Sequence, residues 1–537
     1  MSKSALIKNK KELFLKLYIA IVFSAFTVFP LYYNATEDTR LLLGLVSLVI
    51  WYLIADFALK AMDLIRKLFA SMHTNKLDPF ILNTKDIVFF LGCWICLILI
   101  WIPAYCTLYP GILGYDAPIQ LRMWQGALEL TSHHPLTHTA LIGLLYDFGT
   151  KVLGGSSNTG VAVYTTVQGL IVTGSISYTL LALRRCGVRT IGLILSFVWL
   201  AFNPFLQVLT FNSTKDILFG AFLSVFLAVF MQCLWKEQWN KKTAAALMVF
   251  GILTCLFRHQ GIYFFAALLL FILIAPRPLK KLKKPLVIVM VVVVVFFEGF
   301  SFICNNVLKI EAGDSREMLS VPMQQMAHVC LMKLDGVDVN VSDEQLAQVE
   351  TFLTEGGIRG YESNTADYVK ACFDTEAFTA DLGKNVLTYI ELGLQNPQHY
   401  SYAFRSLSEG YIDSDEMEYT GLMFLYTFQD ALNIDVYRSP IMFDDYYDIL
   451  VNNTFSLGYE RAPLMSVLYK PSYCVWLLAA LIGVVFYRRD YKLWLLILPI
   501  LLLCVSLFLG PVSLVRYLYP ILLLVPLMMI CIVKPAP

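Results

Sequence analysis

The chain has 537 residues, 58% of them hydrophobic and only 15% charged, with a net charge of +1 and a mean hydropathy of +0.65. Soluble domains carry about 25% charged residues, so this composition excludes an ordinary soluble protein. The near-zero net charge leaves no bulk electrostatic case for nucleic acid as a partner.

Continuous apolar runs of about 20 residues cross a bilayer as helices, and their lack of alternation excludes a β-barrel. Twelve segments fit: 13–33, 41–63, 87–108, 161–183, 190–210, 215–235, 243–258, 260–276, 285–304, 472–488, 493–509 and 517–533. The expected fold is an all-α polytopic membrane protein of about 12 spans, with a range of roughly 10 to 13 set by boundary uncertainty. Met1–Glu12 is basic, and the run after it is too long for a cleaved leader, so it reads as the first span. The pair 243–258 and 260–276 is short, and a re-entrant hairpin is the alternative to two crossings.

Charge orients this layout, because cytoplasmic loops retain Lys and Arg. With both termini cytoplasmic, the inner loops carry Arg66-Lys67, Arg184-Arg185 with Arg189, Lys236 with Lys241-Lys242, the stretch Arg277 to Lys284, and Arg488-Arg489 with Lys492. The long outer segment is acidic, with 26 Asp and Glu against 10 Lys and Arg between Asn305 and Lys470. The domain reading is therefore an N-terminal membrane domain (1–304) with a first outer loop (109–160), an acidic extracytoplasmic domain (305–470) and C-terminal spans (471–537). The acidic domain reads as helical. Ser342-Asp343-Glu344-Gln345 has the capping-box pattern, and Asn385–Leu394 has helical apolar spacing that stops before Asn396-Pro397. Most of the twelve cysteines lie in spans as small apolar residues, and a Cys330–Cys372 disulfide is compatible with the spacing but not required.

The polar residues at the outer boundary are the candidates for chemistry, because ionisable groups there must pair, line a wet cavity or react. Gly114-Tyr115-Asp116-Ala117-Pro118-Ile119-Gln120 follows the third span, and His133, His134 and His138 fall within six residues of one another. Lys215 and Asp216 open the sixth span, Arg258 and His259 join the seventh and eighth, Arg316 opens the acidic domain, and Arg516 precedes the last span. Two carboxylates (Asp116, Asp216) beside Lys215, Arg258, Arg316 and Arg516 suit binding a phosphate and activating a hydroxyl. Blander roles stand beside these. Asp116 caps a loop helix, Lys215-Asp216 is an interfacial ion pair, and Arg258 reaches for headgroups. The histidines resemble a metal patch, but H-x3-H alone is a weak signal, so the metal question stays open.

Six stretches carry a family resemblance: Gly114–Gln120, His133–Thr139, Thr214–Gly220, Leu256–Gly261, Arg316–Met326 and Gly510–Pro520. In this order the chain resembles the GT-C superfamily of membrane glycosyltransferases. It is also similar to a bacterial multi-span family of uncharacterised activity grouped with that superfamily. The resemblance implies an extracytoplasmic active site in a bacterial plasma membrane. It also implies a polyprenyl-phosphate sugar as donor and a glycan, lipid or protein as acceptor. It makes Asp116 the base or metal contact and maps a Lys-Asp pair onto Lys215 and Asp216. The outer-face residues themselves add Asp216 as a second catalytic carboxylate and Gln120, His134, His138, Lys215, Arg258, His259, Arg316 and Arg516 as substrate contacts. Asp116 is followed by Ala117 rather than a second acid, so no cofactor is fixed and a divalent cation stays open. The alternatives are a transporter or flippase of lipid-linked glycans and a polysaccharide polymerase or ligase. Apolar span centres favour an interfacial enzyme over a transporter.

Overall fold

The computed structural model describes residues 3–29, 36–69, 83–274, 279, 281–417, 434–452 and 469–533. The end of the expected first span, part of the basic stretch 277–284 and residues 418–433 and 453–468 of the acidic segment lie outside the described residues. The protein is an all-α, multi-span membrane protein, and β-structure among the described residues is confined to isolated bridges. It folds as two compact units. The first comprises 1–311, 419–503 and 516–537, and the second comprises 312–418 and 504–515.

In the first unit the helices are α1 (Lys3–Val28), α2 (Glu37–Phe69), α3 (Thr84–Leu108), α4 (Ala117–Trp124), α5 (Leu136–Asp147), α6 (Ser157–Arg185), α7 (Thr190–Phe202), α8 (Pro204–Thr210), α9 (Lys215–Lys236), α10 (Lys241–Phe257), α11 (Gly261–Ile274) and α12 (Lys283–Phe302). Seven described helices are long and apolar enough to cross a membrane, or eight if the bent pair α7 and α8 is one span. The expectation of about 12 also counted α1, α10, α11 and the helix Tyr473–Arg488. At 1.5 Å per residue α10 and α11 reach only about 21–26 Å, short of a hydrocarbon core of about 30 Å.

Sequence explains the packing roles of these helices. Leu41, Leu45, Val49, Leu53 and Phe57 recur every four residues along α2 and are all exposed, as a lipid-facing stripe requires. α9 has no charge between Asp216 and Lys236 and is buried along its whole length, as a helix apolar all round must be. Gly220 lets it approach the last span closely, since a Cβ there would lie 3.0 Å from Pro520 Cα. Between α7 and α8 the axis bends by 54° at Asn203-Pro204. Asn203 Oδ1 caps α8 by accepting from the Phe205 and Leu206 amides. The freed Ala201 carbonyl accepts from Trp101 Nε1 at 2.8 Å and Gln207 Nε2 at 2.7 Å. The break therefore leaves that carbonyl, on the buried Ala201, satisfied.

The second unit is helical as expected. Ser342 and Gln345 form the capping box at the start of α14 (Asp343–Glu350), after α13 (Ser320–Leu334). The helix anticipated at Asn385–Leu394 runs from Leu382 to Gln395 and ends at Asn396, where the next one, Pro397–Ser408, begins. Met323, Met326, Val349, Phe352, Phe373 and Phe378 are among the residues of its core. Cys330 and Cys372 are both free thiols.

Candidate functional site

Four helix beginnings meet in the first unit. Residues Ile112 and Asn212 pair as a parallel bridge, with the Ile112 amide donating to the Phe211 carbonyl and the Ser213 amide to the Ile112 carbonyl, each at 2.8 Å. This pairing sets the loop before α4 beside the turn before α9. Gly111 permits the approach: it has φ +100°, and a Cβ there would strike Thr165. Asp116 stands at the N-cap of α4, His134 just before α5, Lys215 at the start of α9 and Arg516 at the start of the last span, Val515–Val533.

Lys215 Nζ donates to Asp116 Oδ2 at 2.8 Å and lies 3.3 Å from His134 Nδ1. Arg516 Nη1 and His134 Nδ1 each stand 3.8 Å from the same Asp116 oxygen. Asp116 occupies a capping position but makes no side-chain cap bond, so its carboxylate is committed to the cations. Burial opposes its charge, but Lys215 and Arg516 outweigh that and hold the carboxyl well below the usual carboxylate range. Burial first, then the field of Lys215, pushes His134 down to about 3, so it is a neutral acceptor at pH 7. Tyr115 adopts φ +55° and lays its ring 3.7 Å from the Arg516 guanidinium carbon. Left-handed backbone at a bulky residue is strained and persists where the surroundings enforce it.

A second pair lies beside the first. Arg258, the C-cap of α10, stands 2.7 Å from Asp216 Oδ1, and the atoms make an ion pair without hydrogen-bond alignment. Tyr517 links the two pairs, since both Arg258 and Arg516 lie over its ring, at 5.2 and 4.8 Å. Asp216 is fully buried. It was expected as a second catalytic carboxylate, and its geometry suits holding Arg258 in place.

The other expected contacts divide. Gln120 and His138 are both buried, and they belong to a closed relay. The Gln120 amide faces His138 Nδ1 at 2.9 Å, and His138 Nε2 lies 2.7 Å from Tyr164 Oη. Tyr164 donates to Gln168 Oε1, and Gln168 Nε2 donates to the Thr210 and Asn212 carbonyls at 2.7 and 2.8 Å. Burial, then the field of Lys215, pushes His138 down to about 3. Its ring nitrogens face protein partners, so it positions the Thr210–Asn212 turn. His259 is exposed, with its ring against Phe297. Arg316 belongs to the second unit, where its Nε is 3.4 Å from Asp314. Among the described residues no group of three or more His, Cys, Asp or Glu is arranged to hold a metal.

Sequence reasoning missed Tyr164 and Gln168, although a Gln inside an apolar span was a readable signal. It also missed the consequence of the Asn212-Ser213-Thr214 turn. The Asn212 Nδ2 and Oδ1, Ser213 Oγ, Thr214 Oγ1, Tyr115 Oη and Arg516 Nε and Nη1 atoms are buried without a hydrogen-bond partner. Buried polar atoms are nearly always paired, so such a concentration marks a place built for something else.

A family model described as "Family of unknown function (DUF6020)" matches residues 125–536. His134, His138, Lys215, Asp216, Arg258 and Arg516 fall inside the matched span, and Asp116 precedes it. No curated protein and no solved structure matches the chain. The match covers well over half of the sequence, and the chain belongs to this family of unknown function, DUF6020.

Proposed function

We propose that the protein is an integral-membrane glycosyltransferase of the GT-C type. It moves a sugar from a polyprenyl-phosphate donor to a glycan, lipid or protein acceptor on the extracytoplasmic side of a bacterial plasma membrane. The observation that carries this reading is the gathering of His134, Lys215 and Arg516, from three separate segments, around one carboxylate oxygen of Asp116.

The chemistry follows from the charges. The acceptor hydroxyl oxygen attacks the anomeric carbon, and the bond from that carbon to the phosphate oxygen breaks. Asp116 is a weak base because its cations hold its pKa down, so it accepts the hydroxyl proton as the new bond forms and makes that oxygen strongly acidic. Lys215 and Arg516 stabilise the negative charge arriving on the departing polyprenyl phosphate. Asp216 holds Arg258, and through Tyr517 the second guanidinium borders the same site.

The test uses the full-length protein in liposomes with polyprenyl-phosphate sugars and a labelled-sugar readout. Asp116→Asn keeps the shape and removes the charge, and is expected to lower transfer by about 10²–10⁴-fold with the protein still folded. Unchanged turnover in that variant would sink the assignment. Movement of the donor across the bilayer with no new glycosidic bond would identify a transporter instead.

A further inference from the structure

We infer that the N-terminal end of α9 is a receptor for one singly charged phosphate ester, held by the Asn212-Ser213-Thr214 turn and Arg516. The inference deepens the reading above and rests on it only for the lipid and sugar that the phosphate carries.

Two independent observations support a ligand. The first is unmet hydrogen bonding. Asn212 and Ser213 are 0% exposed and Thr214 is 3% exposed, and their side-chain polar atoms have no partners. Thr214 is the N-cap of a 22-residue helix, yet its side chain makes no cap bond. A helix start whose buried side-chain hydroxyls are idle is suited to an anion.

The second is charge. The cluster holds three cations, the buried Arg258 and Arg516 and the partly exposed Lys215, against two carboxylates, the buried Asp216 and the partly exposed Asp116. Asp216 is matched by Arg258 at 2.7 Å and Asp116 by Lys215 at 2.8 Å. Arg516 is left as the excess charge, 3.8 Å from Asp116 and otherwise touching the Tyr115 and Tyr517 rings and the Tyr517 hydroxyl. An uncompensated buried cation is costly, and an anion of charge −1 removes that cost. Water would satisfy the hydroxyls but would not neutralise Arg516. A divalent cation would meet the oxygens of Asn212, Ser213 and Thr214 but would raise the positive excess. A diphosphate would overshoot it.

The experiment measures thermal unfolding of the full chain in nanodiscs with a short prenyl methyl phosphodiester, the matching prenyl diphosphate and inorganic phosphate. The phosphodiester is expected to raise the unfolding midpoint, and more than the diphosphate does. Ser213→Ala and Thr214→Val should weaken its binding by roughly tenfold each, the share of one hydrogen bond to a charged group. They should leave the midpoint of the free protein unchanged or higher, because each deletes a polar atom that has no partner. Arg516→Gln should abolish the preference for a single charge. A full response to inorganic phosphate would assign the same site to a soluble anion. The inference is overturned if the hydroxyl deletions lower the free protein's midpoint with binding intact, which is the behaviour of structural water sites. It is also overturned if the diphosphate binds better. Phosphodiester binding without sugar transfer by any donor would defeat the glycosyltransferase reading alone. Full transfer by the Ser213→Ala, Thr214→Val double variant would defeat this inference alone.

Discussion

Two polar clusters share the Asn212 segment and behave in opposite ways. The relay Gln120–His138–Tyr164–Gln168 ends on the Asn212 backbone carbonyl, and each member is bonded to the next. The Asn212 side chain, with Ser213, Thr214, Tyr115 and Arg516, has polar atoms that bond to nothing in the protein. Polarity inside a membrane protein therefore does not by itself mark function. A completed network reads as scaffold, and an incomplete one reads as a site awaiting its ligand.

That contrast can be attacked by substitution. The largest effect on stability is expected where a charge pair is broken. Arg258→Met strands the fully buried Asp216 carboxylate and should cost about 3–5 kcal/mol, read as a fall in unfolding midpoint. If the midpoint holds, the pair is not the support described here. Next comes the relay. Tyr164→Phe leaves His138 Nε2 and Gln168 Oε1 without partners and should cost about 1–3 kcal/mol, whereas Ser213→Ala should cost nothing. Equal losses in the two variants would erase the distinction between completed and incomplete clusters.

The effect of pH, per residue, is of the same order as that of the relay. His134 and His138 titrate near 3 in the folded protein against 6.5 as the ordinary value. Above pH 6.5 both states are unprotonated and the full stability is present. As pH falls from 6.5 toward 3, the unfolded chain takes up protons that these imidazoles refuse, so stability declines. The loss is about 2 kcal/mol per imidazole at pH 5. A midpoint that stays flat between pH 7 and 5 would show that neither ring is held neutral as described.

Much of this was legible in the sequence, for identifiable reasons. Charges beside apolar runs are conspicuous, and Asp116, Lys215 and Arg516 announced themselves in that way. The Asp216–Arg258 partnership was not readable, because 42 positions separate the two residues and only helix packing joins them. Gln120 and His138 looked like substrate contacts because sequence shows residue types and not whether their bonds are already taken. Ser213 and Thr214 give no such signal, since uncharged hydroxyls carry no hint of burial. The span layout was legible segment by segment, but α10 and α11 show that apolar spacing alone does not state how far a helix reaches.

Tyr115 carries a tension between turn and side chain. Its φ of +55° is a backbone setting at which glycine would be at ease. A glycine would also take away the aromatic plane under the Arg516 guanidinium. Tyr115→Gly should thus relax the loop while freeing Arg516 to wander, so a variant with a more comfortable main chain would be the less well prepared to grip its substrate.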